Sequence, residues 1–314
     1  MCSLRKSTLP VLGAGLAALT AAATGVIYRI SFHAPNSTQN NDYSVARTKK
    51  IAPVYEQILS MIDDINRVPY EPVYITSHDG YRLRARLYDA PEGAPVAICF
   101  HGWRGTPSRD FSGAAPMLIR NGWRVLLVEQ RSQGRSEGHC MTFGSKERLD
   151  CLAWTRWAAD RFGTECKIML FGISMGAATV LLASALNLPA QVRGIVADCP
   201  FSNGRDILVR VASGAGVPKL AAAHLAYLTS AIWGRFRLKD TDVCQAVKHT
   251  RVPILIIHGE DDDFVPPEMS AQILSCNPAM IERHTFPGAS HGISFVIDPG
   301  RYEELVTEFA ARVL

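Results

Sequence analysis

The stretch that decides the fold runs from Lys167 to Ala183, KIMLFGISMGAATVLLA. Its first part, Ile168 to Ile173, is a continuous apolar run, the mark of a strand buried on both faces. Its last part, from Met175 on, is alanine-rich and suits a helix. Between them sits Gly172-Ile173-Ser174-Met175-Gly176, a G-x-S-x-G. Strand, sharp turn and helix is the context in which this pattern marks a nucleophile elbow. The glycines have a steric reason, because side chains at 172 and 176 would strike a neighbouring strand or helix. A serine that merely caps a helix start is the competing reading, and the flanking runs argue against it.

Outward from this stretch the chain repeats the same alternation. Short apolar runs bounded by turn residues occur at PVAICFHG (95–102), RVLLVEQ (124–130), VRGIVADCP (192–200) and VPILIIHG (252–259), with a more polar ERHTFPG at 282–288. Two further strands flank the turn His78-Asp79-Gly80. Helical patterns lie between them, as at Lys146–Arg161 and Ala177–Leu186. Buried strands alternating with helices predict an α/β fold, a doubly wound, mostly parallel sheet. Residues 201–250 are longer than a plain crossover and contain the apolar run VPKLAAAHLAYLTSAIW. They are expected to form a small helical cap, since they fall where strands end and ligands bind in open sheets.

The chemistry is sought at the strand ends. A nucleophilic Ser174 needs a base, and His291 in FPGASHGISF lies in a glycine- and serine-rich loop after the last strand. His284 falls within a strand, His224 within the cap helix, and His101 and His258 each precede a glycine at a strand end. These four read as turn, surface or packing residues. An acid must orient the base and stabilise its charged form. IIHGEDDDFVPP offers Asp261, Asp262 and Asp263, and the register H-G-x-x-D-x-x-V-P selects Asp262, with Asp198 in VADCP as runner-up. The order Ser, Asp, His is the one expected for α/β-hydrolases. An oxyanion site needs two backbone N–H groups. Met175, after the serine, supplies one, and Trp103 in the loop after AICFHG is the candidate for the other.

Composition and charge bound the rest. The chain has 314 residues, 47% of them hydrophobic, enough for one large α/β domain with an appendage. The formal charge of +4 is uneven: residues 1–50 carry +5 and the remainder −1. No basic face with interleaved aromatics appears, which argues against a nucleic-acid partner. The eight cysteines show no zinc spacing, so no metal is expected, and no organic cofactor is implied.

The N-terminus opens with Arg5-Lys6, followed by an uncharged, alanine- and glycine-rich stretch from Ser7 to Tyr28, about long enough to span a bilayer. Residues 1–33 are therefore expected to be a transmembrane anchor, with a cleaved signal at Ala21-Ala22-Ala23 as the alternative. Residues 34–50 read as a polar linker and 51–314 as the globular domain. Arg5 and Lys6 favour the N-terminus inside, which predicts a single-pass membrane protein with its body outside the cytoplasm.

Residues 72–314 resemble an α/β-hydrolase of the serine aminopeptidase and lysophospholipase-like group. The matching pieces are FHGWRG (100–105), EQRSQGRSEG (129–138), TFGSKERLDCLAW (142–154), GISMGAA (172–178), HGEDDDFVP (258–266) and GASHG (288–292). The resemblance implies Ser174 as nucleophile, Asp262 as acid, His291 as base, and the amides of Trp103 and Met175 as the oxyanion site. Glu129 stands where the group carries an aspartate. Many bacterial members carry an N-terminal anchor, in keeping with the segment here. The expected function is a serine hydrolase of esters or related small acyl substrates. An aminopeptidase-type peptidase and an inactive, membrane-tethered binding module are the alternatives.

Overall fold

The computed structural model describes residues 8–34, 42–45 and 47–314, with side chains of the first helix from Thr20 on. Eight strands form one sheet: β1 (Glu71–Thr76), β2 (Arg82–Tyr88), β3 (Val96–Phe100), β4 (Arg124–Glu129), β5 (Ile168–Ile173), β6 (Val192–Asp198), β7 (Ile254–Gly259) and β8 (Ile281–Phe286). Their order is β1-β2-β4-β3-β5-β6-β7-β8. β2 runs antiparallel to both its neighbours, β1 and β4, and the six strands β3 to β8 pair in parallel. Each predicted strand is present.

The period-2 alternation of side chains along each strand divides the core into two layers. Val96, Ile98 and Phe100 of β3, with Ile168 and Leu170 of β5, face one layer. Ala97 and Cys99, with Met169, Phe171 and Ile173, face the other. Among the described residues, the helices are α1 (Thr8–Ser31), α2 (Tyr55–Arg67), α3 (Pro107–Asp110), α4 (Ala114–Arg120), α5 (Glu147–Phe162), α6 (Met175–Ala183), α7 (Gly204–Gly214), α8 (Lys219–Ile232), α9 (Val243–Val247), α10 (Pro267–Cys276), α11 (Ser294–Ile297) and α12 (Pro299–Val313). α5, α6, α9 and α10 cover the first layer, and α2, α4 and α12 the second. The sheet is therefore wound on both faces, as expected. Residues 201–250 hold α7, α8, a short 3-10 turn and α9.

The N-terminal anchor reading is overturned. Among the described residues, no helix is long and apolar enough to cross a membrane. With it fall the single-pass topology, the membrane partner and the placement of the body outside the cytoplasm. The physical reason is that the described end of α1 is packed on protein. Thr24 and Phe32 are buried. Trp233, just past α8, donates through Nε1 to Thr24 Oγ1 at 3.0 Å, and its ring lies 6.3 Å from that of Tyr28. Phe32 sits in the main core between Phe143 and Phe236. The linker predicted for 34–50 lies partly outside the described residues. Where it is described it touches the body: Ala34 is buried, Ser44 O accepts from Arg109 and Lys50 Nζ donates to Asp261 O.

The loop that follows β4 is held by a buried ion network. Arg131, 2% exposed, makes a two-pronged contact with Asp150 of α5, both bonds 2.6 Å, and a second with Asp79 at 3.0 and 3.1 Å. This ties the β4 loop to α5 and to the β1–β2 turn. Glu129, the departure from the aspartate pattern, pairs with Arg84 and accepts from the Arg135 amide. Removing one partner of a buried pair leaves the other charge uncompensated, at a cost of about 3–5 kcal/mol. Asp150→Ala is therefore expected to lower unfolding free energy by about 3 kcal/mol in urea titrations, and a loss below about 1 kcal/mol would show Asp79 alone to be a sufficient partner for Arg131.

Candidate active site

The parallel strands end on one edge of the sheet, and the predicted residues converge there. β5 delivers Ser174 at the turn into α6. Gly176 follows one residue inside that helix, and a Cβ there would stand 1.8 Å from Phe100 O and 2.7 Å from His101 O. A Cβ on Gly172 would stand 2.3 Å from Gly176 O. Only glycines allow α6 to start so close to β3 and β5. The turn forces Ser174 to φ +56° and ψ −114°, a conformation that side chains rarely adopt. It is pinned by its amide, which donates to Asp198 O at 2.9 Å.

His291 and Asp262 reach the same point from the loops after β8 and β7. His291 Nε2 lies 2.9 Å from Ser174 Oγ, and His291 Nδ1 lies 2.6 Å from Asp262 Oδ2. The Phe264 ring packs edge-on against the imidazole at 5.1 Å. Asp262 is buried, and its other oxygen accepts from the amides of Phe264 and Val265 at 3.0 and 2.8 Å. Burial pushes its pKa up, but hydrogen bonds from His258 and His291 outweigh this and hold it down to about 2.

Two residues have supporting roles that the sequence did not reveal. His258, read there as a turn residue, is fully buried. Its Nε2 donates to Val265 O at 2.9 Å and lies 3.3 Å from Asp262 Oδ2. Asp110 accepts from the Gly102 amide at 2.7 Å and from Arg109 Nε at 2.9 Å, bracing the turn that carries Trp103. That turn is closed by Gly105 N donating to Gly102 O at 3.0 Å, which leaves the Trp103 N–H outside the turn's own bond. Met175, the first residue of α6, has no acceptor within its helix. Of the other histidines weighed as bases, His284 lies in β8 and His224 in α8, as expected. His101 is buried, its Nδ1 donating to Gly102 O, and His224 bonds back to Leu220 O in α8.

Asp198, the runner-up acid, ends β6 beside this group. It is buried next to Ser294, and burial raises its carboxyl to about 7, so it is a far poorer holder of charge than Asp262. Among the described residues, Cys199, Asp262 and His291 are the trio whose ligand-type atoms lie within 4.8 Å of one another. Burial pushes the Cys199 thiol well above its ordinary range, and the other two already bond to each other, so this is a poor metal seat.

Two cavities meet at Ser174. The larger, about 290 Å³, is bordered by His291, Arg109, Asp110, Ile58 and Phe295. The smaller, about 110 Å³, is lined by Trp103, Met175, Phe143, Phe201, Ile207 and Leu208, with Ile30 and Ser31 of α1 on one side.

Comparison with known proteins agrees with this architecture. Residues 93–246 match the family described as serine aminopeptidase, S33, a span that contains Ser174 but neither Asp262 nor His291. The uncharacterized protein YqkD of Bacillus subtilis is 23% identical over 194 residues, 62% of this chain and 64% of that protein, so the match spans less than two thirds of its length. The bifunctional esterase/perhydrolase DCH of Acinetobacter calcoaceticus is 25% identical over 261 residues, 70% of this chain and 93% of its own. The Pyrococcus furiosus esterase Pf2001 superposes with a TM-score of 0.65 at 23% identity, covering 80% of this chain and 93% of that one. The fold is that of the α/β-hydrolases.

The raised Asp198 carboxyl makes stability pH-dependent. Its folded pKa of about 7 lies above the unfolded value of about 3.9, so the folded state binds the extra proton between them. The stability difference between wild type and Asp198→Asn is expected to move against the wild type as pH rises from about 4 to about 7, then level off. Parallel thermal melts across that range check it, and a difference that does not change with pH would refute the raised carboxyl.

Proposed function

We propose that this chain, built on the α/β-hydrolase fold, is a serine hydrolase that cleaves carboxylic esters or related acyl substrates through an acyl-enzyme. The observation that carries the reading is the unbroken line Ser174 Oγ, His291 Nε2, His291 Nδ1, Asp262 Oδ2, with bonds of 2.9 and 2.6 Å. His291 takes the proton as Ser174 Oγ attacks the carbonyl carbon. Asp262, ionised across the working pH range, stabilises the imidazolium and holds its tautomer. The amides of Met175 and Trp103 receive the developing oxyanion, the first with the N-terminal field of α6 behind it. His291 then hands the proton to the leaving group. In the second half-reaction it activates water, which releases the acid and frees Ser174.

The two cavities divide the substrate. The leaving group must lie within reach of the acid that protonates it, and His291 borders the larger cavity and not the smaller. The smaller cleft, lined among the described residues by apolar side chains apart from Ser31, Ser174 and the Trp103 indole N–H, suits an apolar acyl chain. Phe201, Ile207, Leu208 and Val211 give residues 201–250 the role of a cap over that chain. An aminopeptidase would need a free carboxylate for the substrate amine. Of the two carboxylates that border the larger cavity, Asp110 is engaged by Gly102 and Arg109, and Asp198 is buried with a raised pKa. That favours ester over peptide substrates.

Ser174→Ala is expected to abolish labelling by a fluorophosphonate probe and to lower kcat/KM on p-nitrophenyl esters at least ~10³-fold, and Asp262→Asn to lower kcat by up to about 10⁴-fold. Labelling that persists in the alanine variant would refute Ser174 as nucleophile. Aminoacyl-naphthylamide turnover above that of short esters would favour the peptidase reading.

A further inference from the structure

We infer that the end of the N-terminal helix is a wall of the acyl site, and that Ile30 sets how long an acyl chain the cleft admits. The inference rests on the reading of Ser174 as nucleophile and of the smaller cavity as the acyl site. It assigns a specificity-determining role to a segment 144 residues before that serine in the chain.

Ile30 and Ser31 line the cleft, and the wall they form is fixed in place from two sides. On the side of the site, Trp103 Nε1 donates to Ser31 O and Arg104 Nη2 to Ile30 O, each at 2.9 Å. On the side of the body, Met141 N donates to Phe32 O at 2.8 Å, Ala34 N to His139 O at 3.2 Å, and Tyr28 OH to the same carbonyl at 3.2 Å. Phe32 is fully buried, with the rings of Phe143 and Phe236 at 5.5 and 5.6 Å. Phe143 itself lines the cleft, so the packing that anchors the segment also shapes the site. The residue that donates to Ser31 O is the one whose amide is assigned to the oxyanion.

Ile30 has the geometry of a rim residue. It borders the cleft yet remains 61% exposed, and Val211 and Phe264, which also border it, are 51% and 43% exposed. A short acyl chain is enclosed. A chain that outgrows about 110 Å³ has to leave the cleft past these side chains. The enclosing surface is apolar, so each methylene held there contributes about 10-fold or more to discrimination, and one pushed against a blocked rim loses as much.

The test is a chain-length profile on the full chain, with p-nitrophenyl esters from acetate to decanoate, for wild type, Ile30→Ala and Ile30→Trp. Both variants alter an exposed side chain and leave the backbone bonds at Ile30 and Ser31 intact. The ratio of kcat/KM for octanoate over butyrate is expected to fall at least tenfold in Ile30→Trp and to rise severalfold in Ile30→Ala. Ratios within twofold of wild type in both variants would overturn the inference while leaving the hydrolase reading in place. If no ester is turned over and the fluorophosphonate does not react, the hydrolase reading fails and the wall is judged by binding alone. Calorimetric Kd values for n-alkanoates of increasing length are then compared between Ser174→Ala and its Ile30→Trp derivative. A length dependence cut short by the tryptophan supports the wall, and an unchanged series overturns it.

Discussion

One close approach governs this molecule: the first turn of α6 against the end of β3. At Gly176 the helix backbone meets the carbonyls of Phe100 and His101 with no room for a methyl group. From that contact follow the sharp turn at Ser174, its positive φ, and the nearness of Ser174 to Gly102 in the loop that carries Trp103. The contact is steric and short-ranged, so it tolerates little adjustment. The loops from β7 and β8 then need only bring one carboxylate and one imidazole to a point already defined.

The two buried carboxylates at neighbouring strand ends show how environment sorts like groups. Asp262 and Asp198 are similarly hidden from water. Asp262 accepts two backbone amides and lies against two histidines, and those bonds keep it charged despite its burial. Asp198 meets a serine hydroxyl at 3.3 Å, and desolvation dominates. One becomes a fixed negative charge beside an imidazole, the other a neighbour about half protonated at neutral pH. Had both been ionised, their repulsion would have weakened the orienting bond to His291.

Much of this is legible in the amino-acid sequence. Strands covered on both faces read as unbroken apolar runs, which is why β3 to β7 stood out, and glycine spacing around Ser174 carries its own steric meaning. The order of Ser174, Asp262 and His291 needed only strand ends to be found. What escaped was of another kind. His258 and its fellow histidine His101 each precede a glycine at a strand end, and nothing local says that only the first reaches the Asp262 carboxylate. Asp110 acts on an amide eight residues away through a fold-back that short-range patterns do not encode. The first helix misled for a physical reason. An uncharged run rich in alanine and glycine satisfies a lipid environment and a protein surface alike, and at its described end the contact that marks protein comes from Trp233, 209 residues from Thr24 in sequence.

The backbone at Ser174 carries one more consequence, an evolutionary one. A serine held at φ +56° is strained by about 1–3 kcal/mol, and glycine is the residue that would relax it. Selection for stability alone would therefore erode this position towards glycine. A serine there is a residue that drift opposes, and a lineage with no need of the proposed chemistry would find replacement at this codon among its least costly changes.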